Sequence, residues 1–183
     1  MGMMPEFWVF GYGSLMWRPG FEFAESEPAL IRGFHRRLCV LSHVHRGTPE
    51  RPGLVLGLDR GGSCHGTAYR IDPLQWPETL AYLRAREQVT SVYLEVQKPV
   101  TLQRSRRAVV ATTYLVDRRH RQYAGALHRD ELLAIVRQGT GISGRCIDYL
   151  LNTLTHLRDL DIHDMRLEDL ARHLETHAAR STA

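Results

Sequence analysis

The chain has 183 residues, 43% hydrophobic and 24% charged, with a formal net charge of +4. That balance fits one globular domain, residues 1–183, with a sizeable core, and it excludes disordered, collagen-like and low-complexity classes. No apolar run approaches the ~20 residues of a membrane-spanning helix, and no basic-aromatic stripe points to nucleic acid, so neither partner is expected.

The first predicted element is a strand over 7–12, where Phe7, Trp8, Val9 and Phe10 form an apolar run. Gly11-Tyr12-Gly13-Ser14 ends it, and glycines there allow the backbone to turn and to approach another strand or a ligand closely. A long strand is predicted within 30–44, centred on Leu38, Cys39, Val40 and Leu41. Strands over 53–58 and 64–71 follow, joined by a turn at Asp59-Arg60-Gly61-Gly62. A helix is predicted over 73–87, capped by Asp72 with Pro73 in first position, although Pro77 allows the regular helix to begin there instead. Strands over 92–102 and 108–116 come next. Helices are predicted over 130–137, 144–158 and 165–177, the one over 144–158 with Ile147, Leu150, Leu151, Leu154 and Leu157 at helical spacing. Residues 178–183 read as a frayed tail. The fold class is α+β, with short strands and Gly-rich turns that suggest a small closed or nearly closed antiparallel sheet.

Three well-separated cysteines, Cys39, Cys64 and Cys146, lack a CxxC spacing and read as reduced thiols. The first six residues carry neither a basic nor an apolar signal region, so a cytoplasmic location is expected. The histidine pairs His43/His45 and His173/His177 lack a clear third ligand, and no metal site is expected. Of the 24 basic residues only Lys98 is a lysine. An arginine bias suits planar carboxylates and phosphates, but a G+C-rich genome gives the same bias.

The helix before residue 88 carries an unusual stripe. Trp76, Leu80 and Leu83 are apolar, and at about 100° per residue the same sector next reaches Glu87. A buried charge is costly unless paired or used. Glu87 is therefore either half of a structural ion pair with Arg84, Arg86 or a distant arginine, the end of a stripe running out into solvent, or a general base whose pKa is raised by burial.

The stretch VFGYGSLMWRPGF, 9–21, is similar to the signature of the ChaC family of γ-glutamylcyclotransferases. HRGTPERPG (45–53), GTAYRI (66–71), REQVTSVY (86–93) and SGRCIDYL (143–150) resemble further family segments in the same order, so the likeness spans roughly residues 7 to 155. It implies a γ-glutamylcyclotransferase-like fold, a small, mostly antiparallel β-barrel flanked by helices. It also implies cleavage of glutathione to 5-oxoproline and Cys-Gly with no metal and no cofactor. The family's catalytic glutamate falls on Glu87 and its substrate-binding loop on Val9, Phe10, Gly11, Tyr12, Gly13 and Ser14. Leu54, Gln88 and Cys146 depart from residues common in the family (arginine, lysine and asparagine).

In that reaction the γ-glutamyl amine attacks its own γ-carbonyl carbon, and Glu87 serves as base and then as acid. The amides of Tyr12, Gly13, Ser14 and Leu15 suit the oxyanion or the substrate α-carboxylate. Tyr93 and Tyr123 offer hydroxyls or packing, Arg46 a carboxylate contact or a loop anchor, and Ser143 with Gly144 an anion site or an ordinary helix cap. The expected partner is a small γ-glutamyl compound. Two competing readings are the same chemistry on other γ-glutamyl amines or dipeptides, and a non-catalytic regulatory module linked to cation transport.

Overall fold

The apolar run at the amino-terminal end forms strand β1 (Phe7–Gly11), and its last four residues are buried. A single 3₁₀ turn over Ser14–Met16 follows. Two long strands come next, β2 (Glu25–Ser42) and β3 (Gly53–Ile71), then helix α1 (Trp76–Glu87) and the hairpin of β4 (Tyr93–Leu102) and β5 (Ala108–Val116). The chain continues through α2 (Arg129–Gln138), the two-residue strands β6 (Thr140–Gly141) and β7 (Gly144–Arg145), α3 (Cys146–Asp159) and α4 (Met165–Arg180). This computed structural model describes residues 5–87 and 90–180, with side chains through residue 174. Gln88 and the end of the chain beyond Arg180 lie outside the described residues.

The five long strands close into a barrel in the order β1-β3-β2-β4-β5. Pairing is antiparallel between β1 and β3 (Val9 opposite Tyr69), β2 and β4 (Leu30 opposite Thr101), and β4 and β5 (Val96 opposite Thr113). Short parallel contacts, Trp8 with Ala111 and Leu58 with Leu115, complete the closure. A closed sheet leaves no row of unpaired backbone groups along an edge. The expected mostly antiparallel barrel with helices is thus the observed architecture.

The residues form two compact units: Met1–Arg36 with Gly57–His120, and Arg37–Leu56 with Arg121–Ala183. The first holds two apolar clusters. One gathers Trp8, Phe10, Tyr12, Ile31, Leu58 and Ala68, and the other Val9, Leu15, Tyr69, Ile71, Leu83 and Tyr114. The second unit buries Leu133 and Val136 of α2, Leu150, Leu154 and Leu157 of α3, and Leu167, Leu170 and Leu174 of α4. These are the helical-period residues of three mutually packed helices.

Strand β2 begins at Glu25, before the expected 30–44, and α4 runs on to Arg180, into the segment expected to be a frayed tail; three further boundaries differ for reasons that the contacts give. The predicted turn at 59–62 does not end a strand, because Gly61 and Gly62 adopt φ of 102° and 68° and bend β3 without breaking it. Asp59 there is buried, its Oδ1 taking the Arg118 Nε–H at 2.7 Å and the Arg60 amide at 2.8 Å. Helix α1 starts at Trp76 rather than 73, because Asp72 first closes a turn, accepting the Leu74 amide on its side chain at 2.8 Å. Pro77 is then the second helical residue, where its missing N–H costs little. Helix α3 starts at Cys146 rather than 144, because Gly144, at φ 99°, and Arg145 pair with β6.

Candidate active site

The turn after β1 is held from three sides within the first unit. Gly66 of β3 lies so close that a Cβ there would stand 2.2 Å from the Gly11 carbonyl oxygen. A Cβ on Gly11 would stand 3.0 Å from the Leu15 Cβ, because the 3₁₀ turn folds back over it. Arg36, 4% exposed, donates from Nε to the Tyr12 carbonyl at 2.5 Å and from Nη2 to the His65 carbonyl at 2.7 Å. The Tyr69 hydroxyl lies 3.0 Å from the Leu15 carbonyl and 2.9 Å from that of Met16, and burial raises its pKa to about 12. The Thr113 hydroxyl donates to the Phe10 carbonyl at 3.0 Å.

These contacts settle which parts of the loop are available. Val9, Phe10, Tyr12 and Leu15 send their side chains into the two apolar clusters. Those side chains are buried. Gly13 and Ser14 are half-buried. The hydrogen bonds of the turn use the N–H groups of Met16, Trp17 and Arg18, donated to the carbonyls of Gly13 and Ser14. The amides of Gly13, Ser14 and Leu15 take no part in them.

Glu87 closes α1 beside this turn. Its side chain is 18% exposed, and its Oε1 lies 3.4 Å from the Arg86 Nε. Nη2 of the same guanidinium donates to the Ser14 Oγ at 2.8 Å, so two contacts connect the carboxylate to the glycine turn. Burial pushes the Glu87 pKa above its ordinary 4.5, and the Arg86 charge offsets part of that rise. Tyr114 of β5, 1% exposed, feels the Glu87 charge and has its own pKa raised, chiefly by burial. Its hydroxyl donates to Glu95 at 3.2 Å. Glu95 is held below the usual carboxylate range by a two-point contact from Arg84, both bonds 2.8 Å. Arg84 is thus committed to β4, while Arg86 faces the turn.

Tyr93, at the start of β4, is half-buried and packs against the cluster of Val9, Leu83 and Tyr114. A cavity of about 350 Å³ opens along α1, lined by Gly20, Phe21, Glu22, Gln75, Glu78, Thr79 and Tyr82. Arg46 and Tyr123 belong to the second unit. There the Arg46 guanidinium donates to the Ser143 carbonyl and lies 5.2 Å from the centre of the Tyr149 ring. Tyr123 forms an isolated bridge with Val40. Ser143 does not open a helix: its amide bonds the His45 carbonyl at 3.0 Å and its hydroxyl meets His45 Nδ1 at 2.9 Å. Leu54 and Cys146 prove to be contact partners, the thiol lying 3.1 Å from the Leu54 carbonyl oxygen and 3.2 Å from its amide.

Arg36, Tyr114 and the grip of Arg86 on the turn go beyond the sequence reading. For Arg36 a signal exists, because Arg36, Leu38 and Val40 alternate along β2 and all three are buried. A charge on that face demands partners just as Glu87 does on its helix. For Tyr114 there is none: Ala111, Thr112, Thr113 and Tyr114 are buried in succession and show no period.

Among the described residues no group of three or more His, Cys, Asp or Glu is placed to hold a metal ion, and no helix is long and apolar enough to cross a membrane. Comparison with known proteins matches residues 7–177 to the family of ChaC-like proteins. The glutathione-specific γ-glutamylcyclotransferase of Escherichia coli K12 is 34% identical over 163 residues, covering 89% of this chain and 70% of that protein. The fission yeast protein of the same name is 32% identical over 186 residues, covering 88% and 90%. A crystal structure of a yeast γ-glutamylcyclotransferase specific to glutathione superposes with a TM-score of 0.83 at 24% identity, covering 94% of this chain and 99% of that one.

Proposed function

This chain belongs to the ChaC-like family, and from that premise we propose that it is a glutathione-cleaving γ-glutamylcyclotransferase with Glu87 as its base. The observation that carries the reading is the half-buried carboxylate tied through one guanidinium to the glycine turn. The match over 7–177 includes parts of both compact units, which supports treating them as one functional domain. Three buried free cysteines are consistent with a cytoplasmic site of action.

The chemistry follows from proton affinities. At neutral pH the substrate amine is an ammonium and has no lone pair. Glu87, its pKa raised by burial, is a stronger base than an exposed carboxylate and takes one proton. The freed amine attacks the γ-carbonyl carbon, a C–N bond forms, and the carbonyl oxygen becomes an oxyanion. The amides of Gly13, Ser14 and Leu15, which lie outside the hydrogen bonds of the turn itself, are the donors for that oxyanion or for the α-carboxylate. The bond to the cysteinyl nitrogen then breaks, and the protonated Glu87 returns its proton to that nitrogen. The second proton lost by the attacking amine follows, so Cys-Gly leaves as an ammonium and 5-oxoproline as a neutral lactam. Holding amine and carbonyl in contact removes several kcal/mol of entropic barrier.

The test is release of 5-oxoproline from glutathione by wild type and Glu87→Gln. The variant is expected to lose about a thousandfold in kcat/KM while its circular dichroism spectrum stays unchanged. A fully active E87Q protein would remove the base from the reading. A second reading, action on other γ-glutamyl amines, draws on the Leu54–Cys146 contact: two positions that depart from the family pattern bury each other. A substrate panel separates the two, and faster turnover of γ-Glu-Ala than of glutathione favours the second.

A further inference from the structure

Resting on the reading of Glu87 as base, we propose that Arg86 is the positioning residue that fixes the glycine turn and the base in one rigid arrangement. Consecutive residues on a helix point about 100° apart and do not normally meet, yet the Arg86 Nε lies 3.4 Å from Glu87 Oε1. The rest of the guanidinium is spent on the turn. Nη2 donates to Ser14 Oγ at 2.8 Å, and Nη1 faces the Arg18 carbonyl at 2.7 Å, the Pro19 carbonyl at 3.4 Å and the Tyr82 hydroxyl at 2.9 Å. The turn is therefore gripped at its start, Ser14, and beyond its end, Arg18 and Pro19.

Arg84 provides the internal contrast. It lies two residues earlier on α1, its side chain is 54% exposed, and both points of its contact go to Glu95. Arg86 is 24% exposed and makes five contacts on three divergent nitrogens. Only a planar, fixed fork can satisfy partners in so many directions, whereas a lysine supplies one mobile point charge. Lactam formation needs the amine at the base and the carbonyl at the turn amides at the same moment. The guanidinium holds the distance between those two requirements.

Its charge has a separate effect. Among the described residues, the Glu87 charge acts on Arg86 of its own helix and on Tyr114 of β5, and Tyr114 in turn feels Arg84 and Glu95. Arg84 is neutralised by Glu95, which leaves Arg86 as the cation that favours the Glu87 carboxylate. Geometry and charge can therefore be removed one at a time.

The experiment measures 5-oxoproline release from glutathione against pH for wild type, Arg86→Lys, Arg86→Gln and Glu87→Gln, with a melting curve for each. Arg86→Lys keeps the charge and loses the fork: kcat/KM is expected to fall about a hundredfold, mainly in kcat, with the acid limb of the profile unmoved. Arg86→Gln is expected to fall at least as far, and its acid limb to move to higher pH. Wild-type kcat/KM and pH profile in both variants, with E87Q inactive, overturns the role of Arg86 and leaves the base in place. Losses that track only the folded fraction, with kcat per folded molecule unchanged, overturn it as well. Full activity of E87Q overturns the base reading instead. Should Arg86→Gln fail to fold, Arg86→Lys melting like wild type carries the test alone.

Discussion

The two compact units share one use of glycine, backbone meeting backbone as at Gly66 in the first, and the first unit adds another. In the first, Gly11 lets a turn fold back, and the nearest obstacle to a Cβ is a side-chain atom, Leu15 Cβ at 3.0 Å. In the second, Gly53 and Gly141 let backbone meet backbone: a Cβ would stand 2.1 Å from the Arg46 carbonyl oxygen at position 53 and 2.2 Å from the Val44 carbonyl oxygen at 141. A glycine that clears room near usable amides is a functional device, and one that lets two main chains touch is a structural one. The motif HRGTPERPG belongs to the second kind, with its arginine committed to the Ser143 carbonyl and the Tyr149 ring. On the proposed reading the motif GYGS belongs to the first.

The hardest blow to that distinction is Gly53→Ala. The carbonyl it strikes is main chain and cannot rotate away, so a loss of about 3 kcal/mol is expected, a fall in Tm of roughly 6–12 °C for a chain of this size. Wild-type melting would erase the contrast. Next comes Arg36→Met, which removes the hydrogen bonds to the Tyr12 and His65 carbonyls behind the turn. About 2 kcal/mol of stability should go, together with most of the 5-oxoproline release, as read by urea unfolding and by turnover. Gly11→Ala should cost only about 1 kcal/mol in unfolding experiments, while KM for glutathione rises, because the overlap is slight, 3.0 Å against 2.1 Å at position 53, and a small shift of the turn relieves it. Equal stability losses in Gly11→Ala and Gly53→Ala would mean that the two positions use glycine alike.

The smallest effect concerns pH. Burial raises the Glu87 pKa above 4.5, so the folded state favours the protonated acid. The stability this group contributes is complete below pH 4.5 and disappears as pH climbs through the raised value. Above that value the ionised carboxylate contributes none, so there E87Q should melt at the same temperature as wild type or slightly above it. Catalysis runs the other way, because the base must be ionised, and kcat/KM should rise with pH through that same value. A lower Tm for E87Q above that value would make Glu87 a structural ion pair.

Much of the fold was legible because its signals are periodic. The α3 leucines recur at helical spacing, with Leu150, Leu154 and Leu157 buried, and β5 occupies the predicted 108–116. The strand at 59–62 was misread because Gly-Gly after Asp is ordinary turn chemistry. Two left-handed glycines also bend a strand, and only the pairing partners decide between the outcomes. Glu87 stood out because a carboxylate broke an apolar stripe. The grip of Arg86 did not, since adjacent residues on a helix carry no expectation of contact.

By itself the sequence determined the α+β class, the turn after the first strand, the family likeness and the one acidic side chain on an apolar helix face. These follow from periodicity, local backbone chemistry and residue order. The tertiary structure alone decided which groups meet: Arg86 with Ser14, Arg36 with the Tyr12 carbonyl, Tyr114 near Glu87, Leu54 with Cys146. Those pairs are 72, 24, 27 and 92 residues apart in the chain, and no local preference reaches so far. Closure of the barrel and the packing of long-separated segments bring them within hydrogen-bonding or electrostatic range.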